Sequence, residues 1–231
     1  MIDINRHKLL MVSLLKDIYD DIELATVLGF KGGTAHMLFY GLPRFSVDLD
    51  FNLLSQEKSK RAFQKIREIL LQYGRIRDEA EKHFGLICVL DYGAGNRNLK
   101  IEISNRLFPD SYEIKNYLSI PMVVMTKKDM FAHKLCALLD RKVLTSRDVF
   151  DVYFYMKDQT PVNREIVELR MQMGFEEYMD ACIERIEQQN PKKLLDGVGE
   201  LIDEKLKSFV RTKLKQECLQ LLRMYKTFPF S

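Results

Sequence analysis

Cysteine is scarce in this 231-residue chain: there are four, Cys88, Cys136, Cys182 and Cys218, each far from the next. No C-x-x-C pair occurs, and His7, His36, His83 and His133 fall into no zinc-ligand spacing. Each cysteine stands among apolar neighbours, which predicts reduced thiols packed in a core and, most simply, a cytoplasmic location. Neither sign of charge dominates, since 36 Lys and Arg face 33 Asp and Glu for a net charge of +3. That excludes a histone-like or tail-driven nucleic-acid binder, though not a local basic patch. No apolar run approaches the ~18 residues that a membrane helix needs, so no membrane partner is expected. The first thirty residues carry Asp3, Arg6, Lys8, Lys16, Asp17, Asp20, Asp21 and Glu23, which speaks against a secretory signal peptide. Repeats and low-complexity segments are absent.

What remains is the balance of an ordinary folded chain, 46% hydrophobic and 30% charged. Residues 5–28 carry Leu9, Leu10, Val12, Leu14, Leu15, Ile18 and Ile22 at helical spacing. A turn at Lys31-Gly32-Gly33-Thr34 leads into a short apolar helix from Ala35 to Tyr40, which Gly41-Leu42-Pro43 breaks. Val47 to Leu53 alternates as a strand, and Ser55 to Tyr73 returns to helix. Gly85–Tyr92 and Leu99–Ser104 read as two more strands, joined by hairpin-turn chemistry at Gly93-Ala94-Gly95-Asn96. After Pro121 the pattern is helical: Thr126 to Leu139, with Thr126 and Asp129 as a weak capping box, then a helix capped by Ser146 and running through Met156. From Asn163 onward strand signals are few, and Pro191 marks a helix start. The expectation is an α+β fold: a mixed sheet with flanking helices over residues 1–122, then a helical domain over residues 123–231.

The informative stretch runs from Lys31-Gly32-Gly33-Thr34 to Ser46-Val47-Asp48-Leu49-Asp50-Phe51. Alternate strand residues face opposite ways, so Val47, Leu49 and Phe51 turn to the core while Ser46, Asp48, Asp50 and Asn52 share the other face. Neighbours on that face are roughly 7 Å apart, close enough for two carboxylates to bracket one or two Mg²⁺ ions. Adjacent acids on a sheet face repel, and a divalent cation removes that cost. Lys100, Glu102 and Ser104 face outward on a second strand, so Glu102 becomes a third acid if that strand lies beside the first. Three carboxylates around Mg²⁺ suit phosphoryl transfer. The Gly32-Gly33 turn at a helix start offers backbone N–H groups for phosphate. A lone D-x-D occurs on many solvated strand faces and a lone Gly-Gly is only a turn; in this order and separation the two point to a site.

Glycine-glycine-threonine, about a dozen residues, then D-h-D-h resembles the nucleotidyltransferase fold of the DNA polymerase β type. More narrowly, Lys31–Ala35 through Tyr40-Gly41-Leu42-Pro43-Arg44-Phe45-Ser46 to Asp48-Leu49-Asp50-Phe51 resembles the AbiEii/AbiGii toxin family of type IV toxin–antitoxin and abortive-infection systems. That resemblance extends to a helical lysine, Lys134, and to the Arg147-Asp148 pair. It implies a Mg²⁺-dependent transfer of a nucleotide from an NTP to an RNA, a tRNA end among them, or to a protein, with a cognate antitoxin as partner. Lys31, Gly32, Gly33, Thr34 and Ser46 are then expected to hold phosphates, Asp48 and Asp50 to bind metal with Glu102 as third acid, Lys134 to grip the triphosphate, and Asp148 to assist the acceptor.

Spacing supports the lysine, because Met130, Lys134 and Leu138 share one helix face and Lys134 therefore leaves an apolar stripe; the alternative is a lysine snorkelling at a helix edge. Asp148 sits in a first helical turn, where acids are common for dipole reasons alone. Asp151 reads as a supporting partner, and His36 and His133 as packing or hydrogen-bonding residues. Residues 205–226 carry seven Lys and Arg against the single acid Glu217 on what reads as one helix, either a solvated face or a contact for nucleic acid or antitoxin. Two other functions compete: a non-catalytic RNA- or antitoxin-binding module on the same fold, and a D-x-D transferase using nucleotide-sugars. Four retained polar residues, Asp48, Asp50, Lys134 and Asp148, argue against the first, and the Gly-Gly-Thr turn fits the second poorly.

Overall fold

Leu10, Met11, Leu14, Leu15 and Ile18 recur at helical spacing and are buried along one side of α1 (Ile4–Asp20). The expected helix to residue 28 stops early. Asp21 takes the backbone N–H of Leu24 on its side chain and starts a new turn, α2 (Ile22–Ala25), after which the chain enters a short strand, β1 (Leu28–Lys31). The computed structural model describes residues 3–93, 97–190 and 193–228. Contacts divide the chain into two compact units. One runs to Gly41, from Phe45 to Leu107 and from Tyr112 to Met125; the other comprises Leu42–Arg44, Phe108–Ser111 and the chain from Thr126 onward.

The first unit is built on a mixed sheet. After β1 come α3 (Gly32–Tyr40), β2 (Asp48–Leu53), a 3-10 turn at Gln56–Lys58 and α4 (Ser59–Tyr73). The remaining strands are β3 (Arg75–Lys82), β4 (Gly85–Asp91), β5 (Leu99–Ser104), β6 (Tyr112–Tyr117) and β7 (Ile120–Met125). Among the described residues the strand order is β3-β4-β5-β2-β1-β7-β6. β2 runs parallel to β5 and β1 parallel to β7, while the other pairs are antiparallel. Leu49, Phe51, Ile101 and Ile103 fill the core side beside Phe30. β4 and β5 pair as their sequences predict; residues 94–96 of the turn between them lie outside the described residues.

The second unit is helical: α5 (Lys127–Asp140), α6 (Ser146–Lys157), α7 (Arg164–Met171), α8 (Phe175–Glu187), α9 (Glu204–Thr212) and α10 (Leu214–Thr227). Its core stacks Phe131 on Tyr155 at 5.1 Å and sets Tyr225 edge-on to Phe131 at 5.8 Å. Three local expectations are corrected. Thr126 makes no side-chain cap, and Asp129 accepts from the Ser111 N–H and from Asn163. Thr145, not Ser146, caps α6, and the Ser146 hydroxyl donates to the Lys193 carbonyl. The basic stretch 205–226 is two helices, since Lys213 leaves helical backbone angles between α9 and α10. Pro191 lies outside the described residues.

Candidate active site

β2 presents Asp48 and Asp50 on the face opposite Leu49 and Phe51. Its neighbours continue the row: Lys31 of β1 pairs with Asp50, Glu102 of β5 pairs with Asp50, and Lys100 pairs with Asp48. The two expected strands are therefore adjacent, and Glu102 stands beside Asp50. Lys100 Nζ lies 2.9 Å from Glu102 Oε2. Burial pushes the Asp50 carboxyl up, Asp48 and Glu102 add to this, and Lys100 and Lys31 oppose it. For Glu102 burial acts in the same sense, but Lys100, Lys31 and Arg106 outweigh it and leave the group below its ordinary value.

The loop into α3 is shaped by the same carboxylate. Gly32 has φ +80°, and a Cβ there would collide with the Asp50 side chain. Glycine is thus required twice, once for the left-handed backbone and once for the close approach. It lets Asp50 lie against the first turn of α3, a helix end whose free N–H groups favour negative charge. Thr34 is fully buried, and its hydroxyl donates to the Asp48 carbonyl. One residue earlier, the Val47 carbonyl accepts from His7 Nε2 at 2.9 Å, while His7 Nδ1 meets the Tyr92 hydroxyl at 2.7 Å. Burial holds the His7 pKa below its ordinary value, and with Nε2–H donated to the Val47 carbonyl a neutral ring leaves Nδ1 to accept from the Tyr92 hydroxyl. Asp48 is consequently fixed through its backbone from two directions. Ser46, just before β2, is buried, and Gly33 is buried in α3.

Among the described residues no three His, Cys, Asp or Glu side chains form a group arranged to hold a metal ion. Asp48 and Asp50 still fit Mg²⁺: they are hard oxygen donors on one face, and Mg²⁺ takes one or two carboxylates while keeping waters and substrate phosphates.

In the helical unit Lys134 leaves α5 beside buried Met130 and Leu138, as its spacing predicts. Its Nζ lies 2.9 Å from Asp151 Oδ2, and its side chain is 18% exposed. Asp151 also holds Arg44 through two contacts, and both of those side chains are buried. Asp148 is buried at the start of α6; its Oδ2 accepts from the Thr145 hydroxyl at 2.6 Å and pairs with Arg141 Nε at 2.8 Å. Its Oδ1 is buried and has no hydrogen-bond partner among the described residues.

The family model of the AbiEii nucleotidyltransferase toxins of type IV toxin–antitoxin systems matches residues 13–217. The chain belongs to the AbiEii toxin family. Membership makes it a nucleotidyltransferase and implies, in general terms, a nucleotide substrate and an antitoxin partner. Nucleotidyltransferase-like solved structures share the fold. A candidate nucleotidyltransferase from H. pylori is 21% identical with TM-score 0.58, covering 96% of this chain and 94% of that one. JHP933 from Helicobacter pylori is 22% identical with TM-score 0.53, over 97% and 95% of the two chains. An antigenic nucleotidyltransferase-like protein from Paracoccidioides brasiliensis gives 10% identity and TM-score 0.50 over 78% and 88%. No curated protein sequence matches the chain.

Three supporting residues of this AbiEii chain escape sequence reasoning. His7 and Arg44 act on partners 40 and 107 residues away, which no local pattern signals. Lys100 alternates with Glu102, a spacing that was visible, but its partner became clear only with the register. The four cysteines are all buried and free, as expected. Burial pushes the thiols of Cys88, Cys136 and Cys182 up to about 11, 12 and 12. Four of the seven basic residues of the stretch are engaged within their own unit: Lys207 pairs with Glu204, Lys215 donates to the Glu187 and Gln189 carbonyls at and just after the end of α8, Arg223 pairs with Glu187, and Lys226 pairs with Asp180. No helix of the described residues is long and apolar enough to cross a membrane.

Proposed function

We propose that this AbiEii-family enzyme moves a nucleotide from an NTP to an RNA acceptor in a Mg²⁺-dependent reaction, a tRNA end being the first acceptor to test. It acts as a cytoplasmic toxin restrained by a cognate antitoxin. The observation that carries the reading is the pair Asp48 and Asp50 on one strand face, with Asp50 pressed against Gly32 at the start of α3. Asp48 and Asp50 would hold the metal, with Glu102 beside them as the third acid, and an ion bound there would supply neutralisation of phosphate charge. Lys31, Gly32, Gly33, Thr34 and Ser46 belong to the phosphate-binding loop; Thr34 contributes by fixing the Asp48 carbonyl, and Gly32 by admitting Asp50.

In the helical unit, Lys134 offers its ammonium to triphosphate oxygens. Asp148 acts as the base for the acceptor hydroxyl and takes its proton. A bond forms between that oxygen and the α-phosphorus as the bond to the bridging oxygen breaks, and pyrophosphate leaves with the electron pair. Incubation with each α-³²P-labelled NTP, Mg²⁺ and total RNA tests this. Wild type is expected to label RNA, whereas Asp48→Asn and metal-chelated wild type label nothing. Label on protein would make the acceptor a protein, and RNA binding without label from any NTP would make the chain a non-catalytic binding module.

A further inference from the structure

The sheet face bearing Asp48 and Asp50 carries its own counter-charge. In β2 and β5, which run parallel and in register, Asp48 stands beside Lys100 and Asp50 beside Glu102. In-register residues of adjacent strands project to the same side, so three carboxylates and the Lys100 ammonium share one patch. Lys31 borders it on β1, opposite Asp50. Acids placed side by side on a sheet repel, and an interleaved cation relieves that repulsion. Lys100 fills this position: its Nζ is 2.9 Å from Glu102 Oε2.

A divalent cation needs those same oxygens. We propose that Lys100 is a resident competitor of the divalent cation, so that the nucleotide-free face takes up metal weakly and binds it firmly only when nucleotide phosphates draw Lys100 away. A lysine suits the task, because its ammonium is a compact charge on a flexible four-carbon stem that can move from carboxylate to phosphate. The inference rests on the reading of Asp48 and Asp50 as metal ligands.

Mn²⁺ titration of the nucleotide-free protein, followed by electron paramagnetic resonance, tests it. Lys100→Met is expected to bind Mn²⁺ about tenfold or more tightly than wild type, the scale of one lost charge-assisted contact. Lys100→Arg, which keeps the charge, should stay near wild type. A non-hydrolysable NTP analogue should tighten Mn²⁺ binding strongly in wild type and much less in Lys100→Met. If Lys100→Met does not fold, Lys100→Gln removes the charge while keeping a hydrogen-bond donor for Glu102. Equal Mn²⁺ affinity in wild type and the charge-removing variant, with Asp50→Asn abolishing binding in both, overturns the role of Lys100 and leaves the metal site standing. Mn²⁺ binding indifferent to both Asp48→Asn and Asp50→Asn overturns the metal site itself, and the competitor role with it.

Discussion

Asp151 receives the guanidinium of Arg44 at two points, Nε to Oδ1 at 2.5 Å and Nη2 to Oδ2 at 2.7 Å, with both side chains shut away from water. The fork of an arginine matches a carboxylate, and here the carboxylate has a second cation in Lys134. Asp151 therefore fixes the direction in which Lys134 points, which explains an apolar-striped helix carrying a lysine.

Removal of one partner from such a pair leaves a buried charge inadequately compensated. Arg44→Met is expected to destabilise the protein by about 3–5 kcal/mol. Urea denaturation measures this; a loss below about 1 kcal/mol would mean that Lys134 alone satisfies Asp151.

Asp151 also sets a pH dependence. Burial by itself raises a carboxyl pKa, but Arg44 and then Lys134 outweigh it and hold Asp151 well below the usual carboxylate range. A depressed folded-state pKa stabilises the fold fully above the unfolded value of about 3.9, and that stability is lost as pH falls toward the folded value. Between about pH 4 and pH 2, wild type should lose stability more steeply than Asp151→Asn. Identical slopes in denaturation series across that window would show that the carboxylate does not carry the effect.

The Gly32 loop yields a paired comparison. Gly32 and Gly41 both have positive φ, +80° and +73°, but a Cβ at Gly41 meets open space whereas one at Gly32 meets the Asp50 side chain. Gly41→Ala should cost about 1–2 kcal/mol from the left-handed backbone alone. Gly32→Ala should cost more and should also impair nucleotide transfer. Chemical denaturation of both variants isolates the Asp50 contact, and equal losses would argue that the carboxylate simply swings aside.

How far the sequence reaches depends on how local the cause is. The alternation through Asp48, Leu49, Asp50 and Phe51 exposes its face directly, and the spacing of Met130, Lys134 and Leu138 places the lysine correctly. β3 stayed hidden because Arg75–Lys82 is an edge strand largely exposed and charged along its length, without alternation. β6 and β7 turn through Leu118 and Ser119, at φ +48° and +64°, with none of the glycine or asparagine that signals a hairpin. Pro121 reads as a break, yet it lies inside β7, paired with Asn116. β1 is only four residues long and is set by its neighbours rather than by its own pattern. In residues 205–226 the basic residues read as a solvated face or a partner contact, and the pattern does not reveal that Lys215, Arg223 and Lys226 answer groups on or just after α8, 26 to 46 residues away.

The segment Leu42–Arg44 interrupts the sheet unit between α3 and β2 yet belongs with the helices. A nascent chain consequently brings Arg44 out of the ribosome 107 residues ahead of the carboxylate that will neutralise it. Until Asp151 emerges, the guanidinium has to stay in water, so this segment cannot reach its final packing while only the sheet strands have been made. Translation order thus leaves one peg of the helical unit waiting inside the sequence of the sheet unit, and no single cut in the chain separates the two.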